Sequence, residues 1–312
     1  MPRDLAETDS INSRQLVVNG EATGSQVDYM VALGYPFYEG DVLKHVVLGC
    51  HGTLIAPTVV LTSALCTDYN QDVFVNMYNK TNLADVDAFD FGADDYVRHP
   101  GWDYFTFENN VALIFLPREV KNADTIQYAQ LNEESNVPED GDPLSVMGWG
   151  RGTSYLPMGD FRDVLLQAEV NYAANKDCLA TWMVGNTNTN GMMCIEDGRR
   201  AACNYDEGGP LMLNNTNSNL RTNPIQVGIE SYSGCNSISF PDVYTRVSYY
   251  ADWIKETACE RADEFCSPSS KPSVSPSPSL APSASLSPSL SPSTSIHPTS
   301  KSKKKKRTKA AA

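Results

Sequence analysis

Short apolar runs rich in β-branched residues, separated by Gly, Pro, Asn and Asp, follow one another from Leu16 to about Ile254. They include VVLGCHGTLIA, TVVLTSA, VFVNMY, VALIFL, DPLSVMGWG, VLLQAEV, PIQVGIES and VYTRV. Runs of this length suit strands, and the turn residues between them suit short returns to the same sheet. The pattern predicts an all-β sandwich or barrel and argues against βαβ units. One segment departs from it. VSYYADWIKETA sets Tyr250, Trp253, Ile254 and Ala258 at three- and four-residue spacing, which predicts a C-terminal helix with Ser248 as its candidate N-cap.

After Cys266 the pattern stops. Residues 267–312 are rich in alternating Ser and Pro and close with the basic run KSKKKKRTK before a final AAA, so no apolar face forms to offset the cost of ordering the backbone. A disordered, extended stalk is expected there, with O-glycosylation in keeping with its composition. Its basic end reads either as a nuclear address or as a solvated cluster that adheres to polyanions, and the second agrees better with the cysteines. The tail also divides the charge: it holds eight Lys and Arg and no acid, so the net −14 resolves into +8 for the tail and −22 for residues 1–266. A domain that acidic repels nucleic acid. With 41% hydrophobic residues the chain is not wholly disordered, and no run of 18 apolar residues offers a transmembrane span.

The eight cysteines, Cys50, Cys66, Cys178, Cys194, Cys203, Cys235, Cys259 and Cys266, precede the tail, and none forms a CxxC pair. An even count without metal-ligand spacing suits disulfides formed in an oxidising compartment, although eight cysteines allow 105 pairings. No metal or cofactor is implied. Asn79 and Asn214 open N-glycosylation sequons, which agrees with secretion. MPRDLAETDSINSRQ lacks the apolar core of a signal peptide. Either the protein is cytosolic with reduced thiols or a leader is missing from this start; the cysteines favour the latter, a secreted protein.

VVNGEAT (Val17–Thr23), GCHGTLIAPTVVLTSALC (Gly49–Cys66), HPGWDYFTFENNVALIFL (His99–Leu116), MGWG (Met147–Gly150), ACNYDEGGPLML (Ala202–Leu213) and FPDVYTRV (Phe240–Val247) together resemble the trypsin-like serine proteases. The resemblance covers about residues 17–256 in the family's order. It implies two six-stranded antiparallel β-barrels with a cleft between them, organised as an N-terminal segment 1–16, a trypsin-like domain 17–266 and the stalk 267–312. It also implies Cys50–Cys66, Cys178–Cys194 and Cys203–Cys235 disulfides, leaving Cys259 with Cys266.

The family's chemistry requires a serine nucleophile, a histidine base and a carboxylate that orients the histidine. Where TAAHC would supply the base this chain has TSALC, with Leu65. Where NDIAL would supply the carboxylate it has NNVAL, with Asn110. Where GDSGGP would supply the nucleophile it has YDEGGP, with Glu207. Of the four histidines, His45, His51, His99 and His297, none falls at the base position. A glycosidase-like role for Glu207 needs a second carboxyl group that the sequence does not identify.

Supporting groups differ as well. Tyr205 replaces the glycine two before the nucleophile and is expected to crowd the oxyanion hole. Ala201 stands at the specificity position, and Asp242, where glycine is usual, is expected to fill the pocket. Asp206, which in the family receives the amino terminus freed by activation, is retained, but Leu16 rather than a basic residue precedes Val17. Its burial is then structural, with another partner for its charge.

The expectation is a catalytically inactive, secreted domain that acts by protein binding. It resembles the glucanase inhibitor proteins of plant pathogens, which implies a host endo-β-1,3-glucanase as partner. The alternative is a surface or cell-wall protein whose stalk projects the domain and whose lysines grip an anionic matrix. An active serine endopeptidase is the least favoured reading.

Overall fold

The computed structural model describes residues 20–69, 71–90, 92, 95–150, 162–173, 190–196, 202–203, 205–214, 224–233, 241–262 and 266. The expected N-terminal segment 1–16 and stalk 267–312 lie outside these residues, as do Ala201, Cys178 and Cys235. The described strands are β1 (Glu21–Ala22), β2 (Met30–Glu39), β3 (Val42–Ala56), β4 (Val59–Thr62), β5 (Asp72–Val75), β6 (Asp87–Phe89), β7 (Tyr96–Arg98), β8 (Ala112–Phe115), β9 (Gln130–Leu131), β10 (Pro143–Gly148), β11 (Leu166–Ala173), β12 (Met192–Glu196), β13 (Pro210–Leu213), β14 (Ile225–Tyr232) and β15 (Val243–Arg246). A 3-10 turn spans Ala64–Asp68, and helix α1 spans Val247–Arg261.

The protein has the two-barrel trypsin-like fold. In its C-terminal half the order β11-β10-β13-β14-β15-β12 is closed by antiparallel pairing of β12 with β11, giving a six-stranded barrel. In the N-terminal half, β6-β5-β2-β3-β4-β8-β7 form one antiparallel sheet without a closing ladder among the described residues. Strand β11 carries the period of its sequence into burial: in LQAEVNYA, Leu166, Ala168 and Val170 face inward while Gln167, Glu169 and Asn171 are exposed. Val31, Leu33, Leu54, Val60, Val73 and Ile114 fill the N-terminal sheet. Leu144, Val146, Val170, Met193, Leu211 and Val227 fill the closed barrel.

A third cluster joins the halves. Met30, Phe74, Met147, Trp149 and Met212 pack together, and the Trp149 indole N–H donates to the Tyr78 carbonyl at 2.9 Å. Helix α1 covers both halves at the other end, laying Val247, Tyr250, Ile254 and Ala258 on Leu61, Leu113 and Ile229. Its N-cap is Arg246, not Ser248, because β15 runs directly into the helix and places Ser248 inside the first turn.

Two disulfides are complete among the described residues, Cys50–Cys66 and Cys259–Cys266. Cys194 and Cys203 are also disulfide-bonded, while Cys178 and Cys235, the partners the resemblance assigns them, lie outside the description. No described helix is long and apolar enough to cross a membrane.

Candidate functional site

Leu65, Asn110 and Glu207 come from the 3-10 turn, the residue pair before β8 and the loop before β13, and the barrels bring them together. Asn110 is fully buried. Its Oδ1 accepts the Leu65 N–H at 2.9 Å, its Nδ2 donates to Ser231 Oγ at 2.8 Å, and its carbonyl accepts the Thr245 hydroxyl at 2.8 Å. Asn110 thus ties the N-terminal half to β14 and β15. The Leu65 side chain, beside it, offers neither a donor nor an acceptor.

Glu207 is held from both sides. Its carbonyl accepts the His51 N–H at 2.8 Å, which anchors the loop on β3. Its side chain turns back so that Oε2 accepts the Tyr205 N–H at 2.6 Å, and its own main-chain N–H also favours the carboxylate. Burial outweighs these donors and pushes the Glu207 carboxyl up to about 7. Tyr205 keeps the left-handed backbone, with φ 78°, that a glycine would adopt with less strain. Its N–H therefore still points into the site. That donor is occupied by Glu207.

Behind this loop Asp206 is 2% exposed. Its Oδ1 accepts the Gly150 N–H at 2.8 Å and its Oδ2 the Cys203 N–H at 3.0 Å. A side chain at Gly148 or Gly150 would collide with this carboxylate, which explains the two glycines of MGWG. His51, fully buried, places Nδ1 3.7 Å from Asp206 Oδ1 and stacks on Trp149 with ring centroids 5.4 Å apart. Burial drives both groups toward neutrality, pushing His51 down to about 3 and Asp206 up to about 8. Among the described residues, the polar surroundings of Asp206 include these amide donors and His51.

Asp242 is buried at the start of β15, as its place in FPDVYTRV implies. It has company that the family pattern did not supply. Glu230, in β14, is 1% exposed. Burial, then the charge of Asp242, push its carboxyl well above the usual range, and the phenol of Tyr244 faces it. Glu207 and Asp206 act on it as well, so four acids share this neighbourhood. Among the described residues no group of three or more His, Cys, Asp and Glu has the disposition of a metal site.

Glu230 is the site residue that sequence reasoning passed over, although it had a signal: an acid directly after the apolar run VGI in PIQVGIES. His51, set aside from the base position in the sequence, is the buried neighbour of Asp206. The sequon residues are both committed to contacts. Asn79 Oδ1 accepts the Thr81 N–H and hydroxyl at 2.9 and 2.8 Å, and Asn214 Nδ2 donates to Glu169 at 3.1 Å.

Tyr35, Tyr69, Tyr104 and Phe105 are exposed, Phe105 by 90%. The Tyr69 phenol is pushed up by burial and then by the charges of Tyr104, Asp68, Glu207 and Tyr35.

The profile of the trypsin family matches residues 17–254. Over 211 residues the chain is 37% identical to chymotrypsin-C of Bos taurus, covering 66% of this chain and 77% of that protein. It is 34% identical to chymotrypsin-C of Rattus norvegicus over 244 residues, 77% of this chain and 88% of the other. With proproteinase E of Bos taurus it shares 31% identity over 247 residues, 77% of this chain and 94% of that one.

Proposed function

Because this chain belongs to the trypsin family yet carries Leu65, Asn110 and Glu207 at the three catalytic positions, we propose that it is an inactive member that works by binding a protein. One observation carries the reading: the Glu207 carboxylate sits on the Tyr205 N–H, the donor that an active relative offers to the oxyanion of its substrate. The site is thus filled from within by the residue that replaces the nucleophile. Loss of a nucleophile or base costs on the order of a millionfold in turnover, and the remaining activity depends largely on that donor. Here the donor is taken as well.

Binding is supported by the exposed Tyr35, Tyr69, Tyr104 and Phe105, since rigid aromatic side chains carry much of the energy of protein interfaces. The partner that the resemblance to glucanase inhibitor proteins assigns is a host endo-β-1,3-glucanase, met outside the cell. A fluorophosphonate probe tests inactivity: no labelling is expected, and labelling near residue 207 overturns it. The partner is tested separately, by capture of a purified endo-β-1,3-glucanase and a fall in its rate. Absence of binding at micromolar concentrations removes that partner and leaves the inactivity reading intact.

The Ser/Pro stalk and its lysine cluster favour a second role, attachment of the domain to an anionic wall or surface matrix. Deletion of residues 267–312 is then expected to release the protein into the medium. An unchanged distribution refutes attachment through the tail.

A further inference from the structure

Where β15 becomes α1, Arg246 is both the last residue of the strand and the N-cap of the helix. Its main-chain N–H is used by the Gly191 carbonyl at 2.9 Å. No side chain caps the helix, and its first turn contains no acidic residue. The first-turn N–H groups of such a helix present a partial positive charge.

The Arg246 side chain adds a full charge. The residue is 9% exposed, and its guanidinium donates to the Tyr172 hydroxyl at 2.5 Å and to the Val137 carbonyl at 3.5 Å while lying 5.3 Å from the Tyr172 ring centre. These partners satisfy N–H groups without neutralising the cation. Among the described residues no carboxylate pairs with it. A buried cation is costly unless paired, so with no counter-charge among the described residues Arg246 favours an anion bound in contact with it. Beside it the Ser248 hydroxyl oxygen is fully buried and has no hydrogen-bond partner. Arg246, Ser248, Ser135, Asn190 and Tyr249 line one open cleft of about 460 Å3.

We propose that this cleft binds a tetrahedral oxyanion, phosphate or sulfate, either free or as a monoester. A guanidinium, an unused hydroxyl and an uncapped helix N-terminus supply the donors such a group takes. The cleft exceeds the space a single anion fills, and Tyr249, 50% exposed at its edge, offers a ring face to a sugar-sized substituent. The charge of −22 over residues 1–266 opposes approach, which sets the expected affinity in the millimolar range. The cleft lies on residues apart from those of the triad positions, so the proposal stands whether or not the protein is inactive.

The test titrates the intact chain with inorganic phosphate by calorimetry and thermal unfolding, against chloride at matched ionic strength, with glucose 6-phosphate as a second ligand. Saturable binding with a rise in Tm is expected. Arg246→Gln is expected to weaken it about tenfold or more, and Ser248→Ala by about three- to tenfold, as for loss of charge-assisted contacts. Tighter binding of glucose 6-phosphate, lost in Tyr249→Ala, assigns a monoester; equal binding assigns the free ion. Absence of saturable binding overturns the proposal, as does the same response in wild type and both variants. Should Arg246→Gln fail to fold, unchanged affinity in Ser248→Ala overturns it alone.

Discussion

Asn110 offers the sharpest measure of what joins the two halves at the candidate site. Substitution to Ala removes the acceptor of the Leu65 N–H and the donor to Ser231 Oγ, and Ser231 is 2% exposed. Each stranded group costs about 1–3 kcal/mol, so a loss of about 2–6 kcal/mol is expected for the two. For a domain of this size that corresponds to a fall in Tm of roughly 4–24 °C. Substitution to Asp behaves differently. A carboxyl group still accepts the Leu65 N–H and can take the Ser231 hydroxyl as donor, but its ionised form is buried. Burial raises the folded-state pKa, so stability is fully present below the unfolded-chain value near pH 4 and is lost as pH rises through the folded value. Asn110→Asp is therefore expected to match wild type near pH 4 and to fall below it at pH 8, whereas Asn110→Ala is low throughout. Urea and thermal unfolding of the intact chain at both pH values measures this, each variant being referenced to wild type. A loss under about 0.5 kcal/mol in Asn110→Ala refutes the strut, and an Asn110→Asp profile parallel to wild type refutes the buried-charge reasoning.

The Asp206 and His51 pair makes a second pH prediction. Asp206, raised to about 8, gives stability that is present below about pH 4 and declines toward pH 8, while His51, lowered to about 3, gives stability that is present above about 6.5 and lost on acidification. The slopes oppose each other at intermediate pH; above 6.5 His51 no longer contributes, and the part of Asp206 is separated from that of Glu207, raised to about 7, by the difference between wild type and Asp206→Asn. Wild type is expected to lose about 2 kcal/mol between pH 6.5 and 8 that Asp206→Asn does not lose, and equal slopes in urea titrations contradict this. Gly208, at φ 82°, has no room for a Cβ, which would meet the His51 carbonyl, the Thr62 hydroxyl and the Cys66 sulfur. Gly208→Ala is expected to cost at least about 2 kcal/mol by strain and overpacking, and a near-neutral result in the same melts refutes that account.

Much of the architecture was written in local periodicity. The alternation in LQAEVNYA, the apolar runs of VALIFL and PIQVGIES and the helical spacing of Tyr250, Ile254 and Ala258 each specify an element and its buried face, because burial repeats with the backbone period. The convergence of Leu65 and Asn110 was legible too, since both sit in short motifs whose places in the fold the trypsin family fixes. The start of α1 was less so: Ser248 has the right chemistry for a cap, but the strand entering the helix decides the boundary, and that depends on pairing with β14.

What the sequence determined by itself was therefore the set of elements and the absence of a serine, histidine and aspartate where TSALC, NNVAL and YDEGGP fall. Only the tertiary structure decided what those residues meet. It set the Glu207 carboxylate on the Tyr205 N–H, His51 against Asp206, Glu230 beside Asp242, and, at the head of α1, a guanidinium that has no counter-charge among the described residues. Periodicity states that a side chain is buried. Its partner, its charge state and the donors left unused follow from strands brought together across long stretches of chain, which no local pattern encodes.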